Sequence, residues 1–259
     1  MIHHDTLKSL GFKFGKNGTH ASRTLMFSEI NKLFSALPSS ASPEQYRQDI
    51  VQFNLLHKPT EKARLLTWRH LTSLYSMDTR IPLFRVFRRY WDADEQGRAL
   101  LACQIGLARD PLLHLSMDKI LDLEPGQWLP REEMEQFFSE RCPDRFSPAT
   151  LKSIAQNVNG TWTTAGFLQG RAKKYQSVPA IRPVNLAFAL FMGLLHGLTG
   201  QRLFNTEWTR LLNCRPEQMM ELARQASQAG LLRLKHSSDV VEITFPEYLT
   251  KEEETWLNE

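Results

Sequence analysis

Apolar positions recur at helical spacing along most of the chain up to about residue 230, and the breaks between them carry helix-start and helix-stop residues. Leu25, Met26, Ile30, Leu33, Phe34 and Leu37 form one such stripe, which Pro38 ends. Ser42-Pro43 has the order of an N-cap and a first-turn proline, and it leads into Tyr46, Ile50 and Phe53. Thr60 takes the cap position before Ala63, Thr67, Leu71, Leu74 and Tyr75. The segment Arg98–Arg109 is apolar nearly all round, which predicts a helix at the centre of a helical domain. Asp110-Pro111 marks the next start, and Glu124-Pro125-Gly126 breaks the chain. A domain boundary is expected there, with residues 1–125 forming an all-helical N-terminal domain.

Beyond it the pattern changes. Residues 130–141 suit a short amphipathic helix with Met134, Phe137 and Phe138 inward, and Cys142-Pro143-Asp144-Arg145-Phe146 reads as a turn before a cap at Ser147-Pro148. Leu151, Ile154, Ala155, Val158, Trp162 and Ala165 then share one helical stripe. Gly160 lies inside it at a cost of about 1 kcal/mol relative to Ala, which predicts a kink or an early end. Gly166 closes the helix, Phe167-Leu168 begins an extended piece, and Arg171-Ala172-Lys173-Lys174 follows.

The same order returns near the C-terminus. A short helix from Thr206, the turn Asn213-Cys214-Arg215-Pro216 and a stripe of Met219, Leu222, Ala223 and Ala226 lead to Ala229-Gly230-Leu231-Leu232. Leu232 and Leu234, a turn at Ser237-Ser238-Asp239, and alternating Val241, Ile243 and Phe245 have the period of a hairpin with one buried face. Helix, turn, longer helix and hairpin is the chain order of a winged helix-turn-helix. The expected fold is therefore mainly α: residues 126–259 are expected to hold two tandem winged-helix-like units, at about 130–182 and 205–246, with a small C-terminal β-hairpin.

Composition is ordinary for a globular chain, at 42% hydrophobic and 23% charged residues, and the net charge is +4. Its distribution says more. Residues 145–206 contain no Asp or Glu, while Arg145, Lys152, Arg171, Lys173, Lys174, Arg182 and Arg202 lie among them. Such a block is either a solvated basic face or an anion-binding surface, with a long nucleic acid as the anion. Cys103, Cys142 and Cys214 fit neither a disulfide framework nor zinc spacing, which points to a reducing, cytoplasmic setting. The most apolar run, residues 184–198, is shorter than the ~20 residues a bilayer needs. It reads as a buried helix, with Gly193 and Gly197 as close-packing positions, and no membrane association is expected.

Motifs for catalysis are absent: there is no phosphate-binding lysine loop, His-Glu-x-x-His, Gly-x-Ser-x-Gly or Gly-x-Gly-x-x-Gly. Asp92, Asp94 and Glu95 could hold a metal, but a helix start explains them equally simply. No enzyme activity, metal, cofactor or small-molecule substrate is expected. Nucleic-acid binding has more residues in its favour. The non-apolar face of the helix after Ser147 carries Lys152, Ser153, Gln156, Asn157, Asn159 and Thr163, side chains suited to base edges and phosphates. Arg171, Lys173 and Lys174 follow at the wing position, with Tyr175 beside them, and Arg182 is a further candidate nucleic-acid contact. The C-terminal unit carries Glu217 and Glu221 on its second helix, so the middle unit is the expected reader. A second basic cluster, Arg80, Arg85, Arg88 and Arg89, and the acid-free residues 6–28 are a solvated face or a further nucleic-acid surface.

Ser22-Arg23-Thr24-Leu25-Met26 stands before Glu29-Ile30-Asn31-Lys32-Leu33, Asn54-Leu55-Leu56 before Thr60-Glu61-Lys62-Ala63-Arg64, and Arg98-Ala99-Leu100-Leu101 before Arg109-Asp110-Pro111-Leu112-Leu113. With Asn157, Trp162, Ala165-Gly166-Phe167-Leu168 and the C-terminal Ala-Gly-Leu-Leu, these stretches resemble the BrxA proteins of bacterial phage-exclusion (BREX) systems. The resemblance implies a non-catalytic, DNA-associated component of a defence operon, with an N-terminal fold like that of the RNA-binding NusB protein. Double-stranded DNA and other BREX subunits are then the expected partners. An RNA-binding protein, a protein-interaction adaptor using the acidic residues 132–140 and 252–254, and a cryptic nuclease are the competing readings.

Overall fold

Helices begin where a side chain can cap them. The computed structural model describes residues 2–237 and 240–258. In it Ser42 accepts from the Gln45 amide and Gln45 returns the bond, while Thr60 caps the Ala63 amide at 3.1 Å. The first half runs α1 (His4–Leu10), α2 (Phe27–Ala36), α3 (Pro43–Val51), α4 (Glu61–Tyr75), α5 (Pro82–Ala93), α6 (Arg98–Arg109), α7 (Pro111–Leu115) and α8 (Met117–Leu121). Then come β1 (Trp128–Leu129), α9 (Arg131–Arg141), α10 (Pro148–Thr164), β2 (Leu168–Gln169), β3 (Lys174–Gln176) and α11 (Pro183–Leu195). The chain continues through α12 (Glu207–Arg210), α13 (Pro216–Gln228), β4 (Arg233–Ser237), β5 (Val240–Thr244) and α14 (Lys251–Asn258). The protein is mainly helical, with small antiparallel sheets.

Two helices have almost no solvent face. Every residue of α6 from Leu100 to Arg109 is buried, and α11 is buried from Val184 through Gly193. They lie against each other, and α11 also meets α5, α12 and α13, so one hydrophobic cluster runs from Leu7 to Tyr248. Burying a side chain such as Phe188 or Leu190 contributes about 1.5–3 kcal/mol relative to exposure. Two buried amides between α6 and α11 are paired: Gln104 donates to the Asn185 carbonyl at 2.8 Å, and Asn185 donates to the Gly97 carbonyl at 3.0 Å. No helix among the described residues is long and apolar enough to cross a membrane.

Three sequence expectations change. The helix carrying Gly160 neither kinks nor stops there; α10 runs on to Thr164 because Gly160 faces Thr24 and the apolar stripe continues through Trp162. Phe53 is 67% exposed, since α3 ends at Val51 and the following turn carries its ring out to solvent. The Arg80–Arg89 cluster is not a free basic face. Arg88 is buried and reaches the Phe34 and Leu37 carbonyls and Asp92, while Arg85 holds the Tyr248 carbonyl and Glu253. Arg89 lies over the Tyr248 ring and Arg80 pairs with Asp78. Arg85, Arg88 and Arg89 thus fasten α5 to its neighbours, while the pairing of Arg80 is local to the turn before α5.

At the C-terminus β4 and β5 pair antiparallel, with Val241 and Ile243 turned inward. Ser238 and Asp239 of the expected turn lie outside the described residues.

Candidate nucleic-acid interface

The middle unit is built around α10. Ser147 caps its first turn by accepting from the Thr150 amide at 3.2 Å, and Gly166, at φ +90°, ends it in a conformation that favours glycine. Ile154, Ala155, Val158 and Trp162 are turned inward; the Trp162 indole donates to Ser116 Oγ at 2.8 Å. Ala149, Lys152, Gln156 and Thr164 form the exposed stripe, spaced as one helix face.

The three strands form an antiparallel sheet in the order β1-β3-β2. Trp128 pairs with Tyr175, which pairs with Gln169 on its other side, so these three share one face; Trp128 and Tyr175 are 52% and 38% exposed. Leu129 and Leu168 are buried. The β2–β3 turn depends on Gly170, whose φ is +100° and where a Cβ would stand 2.1 Å from the Lys173 carbonyl oxygen.

The residues singled out from the sequence divide into groups. Lys152 and Gln156 are exposed on α10, and Arg171 and Lys173 are exposed on the turn; none of the three cations among them makes an ion pair within the described residues. Lys173 lies 6.0 Å from the centre of the Trp128 ring. Lys174 is tied to the Gly170 carbonyl at 2.7 Å, and burial lowers its pKa from the ordinary lysine value. Arg182 precedes α11 and is paired with Asp94 at 2.8 Å, so its charge is already engaged. Asn157 faces the N-terminal half and donates to the His20 carbonyl at 3.0 Å. Asn159 is 4% exposed, and Thr163 bonds back to the Asn159 carbonyl at 2.7 Å. The candidates that remain exposed and unengaged are thus Lys152, Gln156, Arg171 and Lys173, with Lys174 partly buried beside them. Trp128 was missed; its only signal was an isolated large aromatic between Gly126 and Pro130.

Between the second half of α10, the β1–α9 junction and the β2–β3 turn lies a cavity of about 470 Å³. Trp128, Gln156, Asn159, Arg171, Lys173 and Lys174 line it, as does Glu132, which Arg131 holds at 2.6 Å.

Behind α10, three buried polar side chains fix it to the N-terminal half. Asp110 Oδ2 lies 3.0 Å from His20 Nδ1, and His20 Nε2 lies 2.8 Å from Thr161 Oγ1. The order acid, imidazole, hydroxyl is that of a hydrolase triad. Here it is sealed: His20, Asp110 and Thr161 are 0%, 1% and 0% exposed, and Thr161 Oγ1 already accepts from the Leu25 amide at 3.0 Å. No substrate can reach it, so it acts as a brace. Burial opposes ionisation of Asp110, but His20 and backbone N–H donors outweigh it and hold the carboxyl below its ordinary range. Gly18 packs so closely that a Cβ would stand 2.1 Å from Asp110 Oδ1.

The chain matches no protein-family model and no curated protein sequence. Asp92 pairs with Arg88, and Asp94 caps the Gln96 amide while holding Arg182. Among the described residues no three His, Cys, Asp or Glu side chains converge as metal ligands would.

Proposed function

We propose that this chain is a non-catalytic double-stranded DNA-binding protein, a BrxA-like component of a bacterial phage-exclusion system acting in the cytoplasm with other defence subunits. In this reading β1 through β3 form a winged helix-turn-helix, α10 enters the major groove, and the β2–β3 turn lies along the backbone as the wing. The N-terminal helices are NusB-like, and the C-terminal unit packs or meets protein partners.

One observation carries the reading. The exposed stripe of α10 and the β2–β3 turn present Lys152, Arg171 and Lys173 without ion-pair partners among the described residues, beside the neutral hydrogen-bonding side chain of Gln156. Unpaired cations neutralise phosphates, and a neutral amide can read a base edge.

Competition among duplex DNA, duplex RNA and single strands in a gel shift tests the preference. A salt series tests the contacts, because each neutralised phosphate adds about 0.9 to the slope of log affinity against log salt. Arg171→Ala with Lys173→Ala should lower that slope by about two. An unchanged slope removes the turn from the interface, and preference for duplex RNA replaces this reading with an RNA-binding one.

A further inference from the structure

We propose that the cavity beside α10 is a pocket for one unpaired nucleotide whose base carries an exocyclic amino group, with adenine the preferred base. The inference rests on the nucleic-acid reading above and adds a base-specific site to it.

Asn159 is the starting point. It is 4% exposed, it lines the cavity, and its buried Oδ1 has no hydrogen-bond partner among the described residues. Buried acceptors are almost always satisfied in folded proteins, so an unpaired one on a cavity-lining residue is a group that an incoming N–H donor would satisfy. An asparagine amide sets that acceptor beside a donor, the pair that matches adenine N6 and N7. Gln156, one turn earlier on α10, adds a second amide to the same wall.

The mouth supplies the other two parts of a nucleotide site. Trp128 is half-exposed there and offers a π-face, and stacking on an aromatic ring is the usual way proteins hold an unpaired base. Arg171 and Lys173 stand at the same rim, with the Lys173 ammonium already over the indole. Glu132 also lines the cavity and is held by Arg131, so its charge disfavours a phosphate beside it and leaves the turn as the phosphate's place. The volume, about 470 Å³, falls in the ~300–1,000 Å³ range of small-ligand pockets.

The test is calorimetric titration of the full chain with dAMP, dTMP and inorganic phosphate, run beside the duplex gel shift. dAMP should bind at least about tenfold more tightly than dTMP or phosphate, because thymine has no amino group to offer Asn159. Trp128→Ala, a surface change that should leave the melting temperature unaltered, should weaken dAMP by about tenfold. Asn159→Leu should erase the preference for dAMP; if that variant does not fold, Trp128→Ala decides. Equal binding of dAMP and phosphate, or indifference to Trp128→Ala, overturns the pocket. Normal duplex binding without nucleotide binding also overturns it and leaves the duplex reading standing. Loss of both overturns both.

Discussion

In the middle unit the turn between β2 and β3 carries Arg171 and Lys173 into solvent without ion-pair partners among the described residues, and α10 adds Lys152. In the C-terminal unit two cations are answered from within, while the exposed Arg215 and Arg233 make no ion pair among the described residues. Arg224 pairs with Glu221 on α13 at 3.3 Å, and Lys235 pairs with Glu242 across the hairpin at 3.2 Å. Glu217 stands exposed at the start of the same helix. The units also differ in their joints. The middle one is braced through His20, Asp110 and Thr161, all buried, whereas His114 of α7 meets Glu207 of α12 at 3.2 Å with both side chains about 40% exposed. Two segments with one chain order thus differ in how their charges are paired and in how they are joined to the helices around them.

The largest way to break this comparison is Asp110→Ala. Asp110 accepts from the Leu112 and Leu113 amides and from the His20 amide, besides contacting the imidazole. Removing a buried, hydrogen-bonded charge should cost at least about 3 kcal/mol in urea unfolding. The loss should shrink in acid: a carboxyl whose pKa is depressed by folding stabilises above its unfolded value of about 4 and loses that contribution as pH falls through the folded value. A loss below about 1 kcal/mol would mean that the brace is not what holds α10.

Gly18→Ala probes the same brace from the other side. Its Cβ would collide with Asp110 Oδ1, so a cost of about 1–3 kcal/mol is expected, with a partial loss of helicity at α7 in amide exchange. An unchanged stability would show that the backbone around Gly18 can simply move away.

The third sets the two surfaces against each other. Lys152→Ala with Gln156→Ala should weaken duplex DNA binding by about 1–3 kcal/mol, read in binding isotherms beside thermal melts. Arg224→Ala with Lys235→Ala should change it by no more than about 0.5 kcal/mol, because both charges are already engaged. Should the C-terminal pair be the more damaging at equal stability, the reader has been assigned to the wrong unit.

The smallest effect concerns the exposed joint. The hydrogen bond to Glu207 raises the His114 pKa, against an opposing effect of burial, so the pair stabilises below about pH 6.5 and fades as pH rises through the folded value. Solvent screening keeps the contribution under about 1 kcal/mol. Glu207→Gln should therefore be less stable than the parent at pH 5.5, with the gap closing by pH 8. A gap that widens with pH would reverse the sign argued here.

Much of the fold was legible because its signals are local. Ser42, Thr60, Asp110 and Ser147 each announce a helix within three residues of themselves, and Gly166 ends one through its own φ. The alternation of Val241 and Ile243 fixes the buried face of β5 in the same local way. What stayed hidden depends on separation. Nothing near Thr161 says that it meets His20, or that Arg182 answers to Asp94, so the acid-free block could not reveal which of its cations were already taken. A two-residue strand such as β1 is too short to show a period, which is why Trp128 went unnoticed beside the helix it serves. Asn157 and Asn159 read as polar surface because asparagine usually is; only packing shows that one braces and the other is buried.

The all-round burial of α6 has a consequence for how the chain is made. Its covering partner α11 begins at Pro183, and α6 ends at Arg109, so the ribosome must add the whole middle unit before that cover exists. At about 5–20 residues per second this leaves one side of an apolar helix, the side not packed on α4, α5 and α7, uncovered for several seconds of synthesis. The nascent N-terminal half is therefore a natural client for chaperones that bind exposed apolar segments, and a ribosome stalled anywhere between α6 and α11 would release a fragment prone to aggregate.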